Sequence, residues 1–288
     1  MGQMSGPFHW WTPGPPLSDL VESFWISEGY VQPHARERLL PTGAMDLVFT
    51  MDADGRLCCG VAGARSESIV LDTSRPLSAI GVRFRPGGGF PFFGVPAGEL
   101  HNLGVTLDTV WGTGAAAVSD RLWEAGTPER RFGILERALL DRAQGRLDRH
   151  PAVRQALELF DRSNGAHPVS GVVARIGISP RRFVDLFRRE VGLAPKEFCR
   201  IRRFNAVLRR IEPLMDVDWA QVALSCGYYD QAHFNHDFRV FSGLNPSSYL
   251  RQRTSRTHVA VNDDQASNGL MGSRPGKVVA TAGSTGGP

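Results

Sequence analysis

Two segments near the C-terminal end of the chain repeat one pattern of residues. The first reads GISPRRFVDLFRREVGLAP over 177–195, and the second reads GYYDQAHFNHDFRVFSGLNP over 227–246. Each copy follows a short apolar segment that ends in a glycine, so the order helix, glycine turn, helix predicts two helix-turn-helix motifs. A shift of 51 positions superposes Phe183 on Phe234, Phe187 on Phe238, Arg188 on Arg239, Gly192 on Gly243, Leu193 on Leu244 and Pro195 on Pro246.

The segments around the repeat also carry helical periodicity. Ser179 is a suitable N-cap with Pro180 at the first helical position. A long helix joins the two motifs, with Phe198, Ile201, Phe204, Leu208 and Ile211 on its apolar face. The periodicity predicts helices over Pro151–Arg162, Val169–Ile176, Ser179–Val191, Pro195–Ile211, Trp219–Cys226, Asp230–Phe241 and Pro246–Leu250.

The front of the chain has a different pattern, with short apolar runs separated by Gly, Pro and Asp. Residues 1–16 are interpreted as an irregular lead-in, and the turn Asp52-Ala53-Asp54-Gly55 predicts a hairpin. Many short strands at this spacing favour an antiparallel sandwich or barrel. The predicted strands are Val21–Ile26, Met45–Met51, Leu57–Val61, Ser68–Leu71 and Ala79–Phe84, and helices follow over Ala115–Glu124 and Pro128–Gln144.

The predicted fold class is therefore α+β, with a β-rich domain before an all-helical domain. The boundaries expected are a β-rich sensor or dimerisation domain over 1–105, a helical connector over 106–149, a double helix-turn-helix domain over 150–253 and a disordered tail over 254–288. The tail is rich in Ser, Gly, Thr, Asn and Asp and has few large apolar groups, which is typical of disorder.

Composition excludes several classes of protein and suggests a partner. No run of about 18 apolar residues predicts a membrane span, and no signal peptide is expected at the start. Four cysteines without a framework spacing favour the reducing cytoplasm. The net charge of +4 is uneven, with 14 basic and 8 acidic side chains over 171–253 against 16 and 19 over 1–170. Positive charge therefore lies where the repeat lies, as binding to DNA phosphate requires.

The outward faces of the two repeated helices suit the reading of double-stranded DNA. Such a helix needs polar or small groups near its N-terminus for base edges and cations further along for phosphate. Gln and Asn can pair with adenine, whereas an Asp repels phosphate unless it accepts from cytosine or braces an arginine. The candidate base contacts are Arg181, Arg182, Val184, Asp185, Gln231, Ala232, Asn235 and His236, and the candidate phosphate contacts are Arg188, Arg189, Lys196 and Arg239.

Residues 151–251 resemble the double helix-turn-helix domain of the AraC/XylS family of bacterial transcription regulators. The resemblance is carried by Gly227-Tyr228, Asp230, Phe234, Phe238, Gly243, Pro246 and, one place late, Tyr249, with a looser match at Arg203-Phe204 and Ala206 in the linking helix. It implies that the two recognition helices enter successive major grooves of DNA. It also implies RNA polymerase and a small-molecule effector as candidate partners, a homodimer as a candidate assembly, no cofactor and no catalysis.

Residues 17–105 resemble the β-rich N-terminal domain of one uncharacterised branch of that family, on LVESFW, LPTGAMDLVF and GVRFRPGG. Arg83 and Arg85 alternate with apolar neighbours, so both are expected on one face. If that face is interior, they need partners: either an anionic ligand or an internal pair with Asp46 or Glu37. His34 and His101 are too isolated to predict a metal site, and Cys58-Cys59 is a weak indication of a thiol sensor.

Two other functions remain open. An enzyme tethered to DNA requires a nucleophile–base pair or a metal-ligand set in the front domain, and the sequence contains no recognisable one. An architectural DNA-binding protein without a ligand requires only that the front domain dimerise. An apolar cavity in the front domain favours sensing, whereas a filled core with one exposed apolar face favours dimerisation.

Overall fold

The computed structural model describes residues 4–5, 8–30, 36–214 and 216–254 of the 288 residues. The strands are β1 (Met4–Ser5), β2 (Phe8–Trp11), β3 (Val21–Tyr30), β4 (Arg36–Leu39), β5 (Asp46–Asp52), β6 (Leu57–Ala62), β7 (Ile69–Asp72), β8 (Leu77–Phe84) and β9 (Gly104–Thr106). The helices are α1 (Phe90–Phe93), α2 (Leu107–Trp111), α3 (Gly114–Glu124), α4 (Pro128–Ala143), α5 (Pro151–Arg162), α6 (Val169–Ile176), α7 (Pro180–Val191), α8 (Pro195–Ile211), α9 (Trp219–Ser225), α10 (Gln231–Ser242) and α11 (Pro246–Thr254), with a 3₁₀ helix over Ala97–Leu100. The predicted α+β class is confirmed.

An antiparallel sheet organises the front of the chain. Seven strands pair in the order β1-β2-β3-β8-β5-β6-β9, and β4 pairs with β7 in a separate two-stranded ribbon. The predicted hairpin at Asp52 is confirmed, because its Oδ1 accepts from the backbone N–H groups of Asp54 and Arg56, each at 2.9 Å. The side chain thus supplies the bonds that fix the tight connection between β5 and β6.

One face of the sheet carries the core, and helices cover it. Phe24 in β3 is fully buried and lies 6.2 Å, centroid to centroid, from Phe132 in α4. Trp11 in β2 stacks on the same Phe132 at 6.1 Å. Trp111 in α2 is also anchored, since its indole N–H donates to the carbonyl of Phe92 at 2.9 Å. Residues 106–149, predicted as a connector, therefore contribute α2–α4 to the core of the sheet.

The β4–β7 ribbon lies over the opposite face of the sheet. Leu39 and Ile69 of the ribbon line one small cavity with Asp46 and Arg83 of the sheet. Glu37 is two residues from Leu39 and so points to the same side of the ribbon. Its side chain is buried, and burial raises its pKa from the ordinary 4.5 to about 7. The ribbon therefore encloses a carboxyl group that burial keeps partly protonated near neutral pH.

The β-rich and helical domains share one contiguous apolar core that extends from Leu17 to Tyr249. Glycines of the front domain permit close packing between the two domains. A Cβ on Gly43 would lie 3.2 Å from the ring of Phe198 in α8. A Cβ on Gly87 would lie 3.4 Å from both Leu157 in α5 and Val191 in α7. The first helix-turn-helix motif is consequently packed against the front domain.

The prediction of an irregular lead-in over 1–16 is wrong for β1 and β2, whereas residues 12–16 form no strand or helix, as predicted. β2 pairs with β3 in antiparallel register, with Trp10 opposite Trp25 and Trp11 opposite Phe24. Trp11 thereby reaches the core, while Trp10 packs beside Trp25 on the opposite face. The sequence pattern was misleading because aromatic residues lie on both faces of β2, so no polar alternation marks it as a strand.

Two sequence-based expectations concern residues outside the described ranges, namely His34 and the tail from residue 255 onward. Within the described ranges, none of the helices combines the length and the apolar character that crossing a membrane requires.

The pKa of Glu37 makes stability depend on pH. Because the folded state holds this proton more tightly than the unfolded chain, the free energy of unfolding falls as pH rises from about 4.5 to about 7. We expect Glu37→Gln to remove that decline and to gain roughly 1–3 kcal/mol over the natural chain above pH 7. Urea unfolding between pH 4.5 and 8 measures the free energy of unfolding of both proteins, and Glu67→Gln at an exposed position is the matched control. If Glu37→Gln raises the free energy of unfolding by the same amount at every pH, the raised pKa of Glu37 is contradicted.

Candidate nucleic-acid interface

The first motif is formed by α6, a glycine turn and α7. α6 ends at Gly177, whose φ of +77° lies in the left-handed region that glycine adopts without strain. Ser179 then caps α7, and its hydroxyl accepts from the backbone N–H of Arg182 at 3.3 Å. Pro180 occupies the first helical position, as predicted. The glycine turn therefore separates α6 from α7, and α7 begins at its own N-cap.

The two faces of α7 differ as the sequence predicts. Phe183, Phe187 and Val191 are fully buried and hold the helix on its bundle. Arg181, Arg182 and Asp185 are exposed in the first turns, and Val184 is partly buried. α7 therefore presents two guanidinium groups and one carboxylate at the end where base contacts are expected.

The second motif repeats this construction with a stronger cap. Gly227, with φ of +80°, follows α9, and Asp230 caps α10 by accepting from the backbone N–H of His233 at 2.7 Å. Phe234, Phe238 and Phe241 are buried. The exposed face of α10 carries Gln231, Ala232, Asn235, His236 and Arg239. Every predicted base-contact residue of this helix is thus accessible.

A buried ion pair fixes α10 to the linking helix. Asp237 in α10 is only 1% exposed and accepts from Nη2 and Nε of Arg200 in α8, at 2.7 and 3.1 Å. Tyr228 packs nearby beneath the guanidinium of Arg203, 5.5 Å from the ring centroid, and burial raises the pKa of its hydroxyl. Because a buried carboxylate needs its partner, the pair favours one orientation of α10 on α8.

The two motifs also touch each other directly. Arg203 in α8 donates from Nη1 to the carbonyl of Gly165, in the loop before α6, at 3.2 Å. A Cβ on Gly227 would lie 3.2 Å from Cβ of Ala166 in the same loop. The turn of the second motif therefore packs against the loop that begins the first.

The predicted phosphate contacts are all exposed, but they are not equivalent. Arg188, Lys196 and Arg239 extend from the surface of the helical domain. Arg189 lies over the ring of Phe90 in α1 of the front domain, with its guanidinium carbon 5.6 Å from the centroid. Its neighbour Glu190 points inward and accepts from the backbone N–H of His150 at 3.2 Å. Arg189 is thus already engaged with the front domain.

The two arginines considered for an anionic ligand lie in different environments. Arg83 donates from Nε to Oδ1 of Asp46 at 3.0 Å, so of the two solutions open at this position the internal pair is the one observed. The adjoining cavity has a volume of about 40 Å³, which is room for about one water molecule. Arg85 follows the end of β8, is exposed and donates to the carbonyl of Ser18 at 3.0 Å.

The front cysteines have little thiolate character. Burial raises the pKa of Cys59 to about 11, with Cys58 and Asp108 adding to the effect, and burial also raises that of Cys58. A thiol reacts as its thiolate, so neither position is activated. In the described part of the chain, no three His, Cys, Asp or Glu side chains are grouped as metal ligands.

The sequence did not single out two residues of the second motif, Tyr229 and Asp237. Tyr229 lies directly before the α10 cap and is 88% exposed. Asp237 could have been noticed because it follows Phe234 by three residues and so lies on the apolar stripe of the helix. A charge at such a position indicates a buried partner, which the structure identifies as Arg200.

Comparisons with known proteins agree with this geometry. Residues 172–252 match a family model described as a helix-turn-helix domain, and residues 9–106 match a domain of unknown function, DUF6597. The HTH-type transcriptional regulator Rv1931c of Mycobacterium tuberculosis is 32% identical over 90 residues, which are 31% of this chain and 34% of that protein. The chain thus spans about a third of that relative. The C-terminal domain is a helix-turn-helix domain of the AraC type, as the resemblance predicted.

Solved structures give more distant similarities. An apo ToxT variant from Vibrio cholerae has a TM-score of 0.40 at 8% identity and covers 79% of this chain and 97% of that one. The C-terminal domain of AraT, a response regulator from Geobacillus stearothermophilus, has a TM-score of 0.32 at 20% identity, covering 40% and 93%. Both scores are low, so the assignment of the domain rests on its sequence match and its two capped motifs.

The Arg200–Asp237 pair provides a test of how the second motif is held. Arg200→Ala removes the guanidinium from the buried Asp237 carboxylate and leaves only the His233 imidazole beside it, with Nε2 3.8 Å from Oδ2. We expect a loss of about 2–4 kcal/mol in the free energy of unfolding. The matched control is Arg202→Ala, which removes a pair with the half-exposed Asp161 and should cost less than about 1 kcal/mol. Urea titration measures both. Equal losses contradict a special role for the buried pair.

Proposed function

We propose that this protein is a sequence-specific DNA-binding transcription regulator of the AraC/XylS type, acting in the bacterial cytoplasm without catalysis. The observation that carries the proposal is the duplicated reading helix. α7 and α10 each begin at a side-chain N-cap, bury phenylalanines at two equivalent positions and have polar outward faces. The match of residues 172–252 to a helix-turn-helix model supports it.

The linking helix gives the two motifs a suitable separation. α8 contains 17 residues, which corresponds to a length of roughly 25 Å. Two helices held at the ends of such a spacer suit major-groove segments one turn of DNA apart, ~34 Å. Each N-terminus also carries the positive end of a helix dipole, which favours approach to phosphate. The second helix has the stronger base-reading groups, Gln231, Asn235 and His236.

The front domain is proposed as the control element, with residues 1–105 as its core and 106–149 as helices packed upon it. The front domain shares an apolar core with α5, α7 and α8. This packing supports a route by which a conformational change in the front domain reaches the first motif. A small-molecule effector or dimerisation would act through that route, and RNA polymerase is the proposed further partner. If an effector controls binding, effector and DNA must alter each other's affinity by the same factor.

The test of the proposed function is selection of bound DNA from a random pool by the full chain. We expect enriched sites with two short elements about one helical turn apart. A palindromic pairing of such sites indicates a homodimer. Bulk binding that depends only on salt, with no enriched sequence, overturns sequence-specific reading and favours an architectural protein or a tethered enzyme.

Base and phosphate contacts can then be separated. We expect Gln231→Ala to relax the preference at one base position, at a cost of about 1–3 kcal/mol on the preferred site. Arg239→Ala should weaken all sequences alike and reduce the salt slope by about 1. Binding titrations at several salt concentrations measure both, with the exposed Gln155→Ala on α5 as control. A uniform loss from Gln231→Ala means that α10 is oriented differently on DNA.

A further inference from the structure

The C-terminal end of the first reading helix is seated on the front domain. A Cβ on Gly192, the residue after α7, would lie 3.1 Å from the carbonyl oxygen of Ala97 and 3.2 Å from Cβ of Ala64. On the front-domain side of the same contact, a Cβ on Gly98 would lie 3.1 Å from the carbonyl oxygen of Arg188. The end of α7 and the 3₁₀ helix Ala97–Leu100 are therefore in backbone contact.

The C-terminal end of the second reading helix touches the front domain as well. A Cβ on Gly243, the residue after α10, would lie 2.9 Å from Nη1 of Arg38 and 3.6 Å from Oγ of Ser68. Arg38 belongs to β4, and its Nη1 donates to Oγ of Ser68 at 3.2 Å. The β4–β7 ribbon thus places a guanidinium against the carbonyl end of α10, where the helix dipole favours a cation.

These two contacts are at equivalent positions of the repeat. The shift of 51 residues that superposes the motifs brings Gly192 onto Gly243. Both glycines follow the C-terminus of a reading helix, at the end opposite the proposed base contacts. One domain therefore holds both reading helices by the same end and leaves their N-termini accessible.

The two attachments differ in kind. The first motif shares apolar packing with the front domain, through Gly87 against Val191 and Gly43 against Phe198. At Gly243 the neighbours are instead the Arg38 and Ser68 side chains, which hydrogen-bond to each other. Loss of the Arg38 contact should release the second motif from the front domain and leave it positioned by α8 and by the loop before α6 alone. The first motif should keep its place, because its apolar packing does not involve Arg38.

We propose that Arg38 is a positioning residue that fixes the second reading helix relative to the first, so that the front domain sets the spacing of the two DNA elements that the protein accepts. The inference rests on the proposed function. Each added base pair moves an element ~3.4 Å along the DNA and turns it by about a tenth of a turn. A rigid pair of readers therefore distinguishes spacings, whereas a hinged pair tolerates several.

The experiment measures binding to the selected site with its two elements separated by the selected spacer or by one or two base pairs more or fewer. We expect the natural chain to lose about tenfold or more for each single change of spacing. Arg38→Ala should reduce that discrimination to within about threefold, while the preference for each element is kept. Arg38→Lys retains the charge and should restore part of the discrimination.

Arg56→Ala is the matched control, because it removes an exposed arginine of the front domain from the β5–β6 hairpin, away from Gly243. An unchanged spacing profile for Arg38→Ala overturns the inference. A profile altered equally by Arg56→Ala also overturns it, since the effect then follows from net charge.

A second measurement does not require specific DNA. Hydrogen–deuterium exchange of the full chain should be faster in 231–254 for Arg38→Ala, with 180–191 unchanged, because only the second motif loses its contact. Faster exchange in both segments, or in neither, contradicts the positioning role. If the natural chain selects no DNA sequence, the proposed function fails, and exchange alone decides whether Arg38 restrains the second motif.

Discussion

The packing of the first reading helix on the front domain is the constraint on which the rest of the structure depends. α7 is held at its C-terminus by the 3₁₀ helix Ala97–Leu100, and Val191 and Phe198 belong to the same core as the sheet. A cut between the domains would expose these apolar groups to water. The helical domain therefore gains part of its stability from the front domain. A displacement of the sheet would also displace α7, because the two are in direct contact.

The second motif packs on α8 through Phe204, Phe238 and Phe241, and polar contacts surround this apolar packing. Asp237 is buried against Arg200, Arg203 spans from Tyr228 to the loop before α6, and Arg38 reaches Gly243. Charged contacts of this kind add little net stability compared with apolar packing of the same volume, but they tolerate few alternative geometries. The front domain thus holds the first motif by apolar packing, whereas it meets the second motif where the Arg38 side chain approaches Gly243.

Local signals made the helical domain predictable from the sequence. Ser179 and Asp230 start the reading helices, and Gly177 and Gly227 form the turns, because caps and left-handed turns depend on single residues. Helix bounds such as Pro151–Arg162, Val169–Ile176 and Pro195–Ile211 agree with the prediction. The duplicated pattern then located the exposed reading faces, since burial of the aromatic positions determines which side chains face outward.

The contacts between distant segments could not be predicted in the same way. Nothing in the sequence near Arg38 indicates that β4 pairs with β7, or that this ribbon reaches the end of α10 more than 200 residues later. β2 was missed because both of its faces are aromatic. Such pairings depend on packing across the whole fold, and the side chains involved carry no local periodicity.

The environment of Arg83 bears on how the front domain could act. Its guanidinium is already paired with Asp46, and the adjoining space admits about one water molecule. An anionic effector at this position would have to break that pair and desolvate its own charge, which opposes binding. For the proposed control by the front domain, the β4–β7 ribbon is therefore the better candidate element, because it encloses Glu37 on one side and approaches the second motif through Arg38.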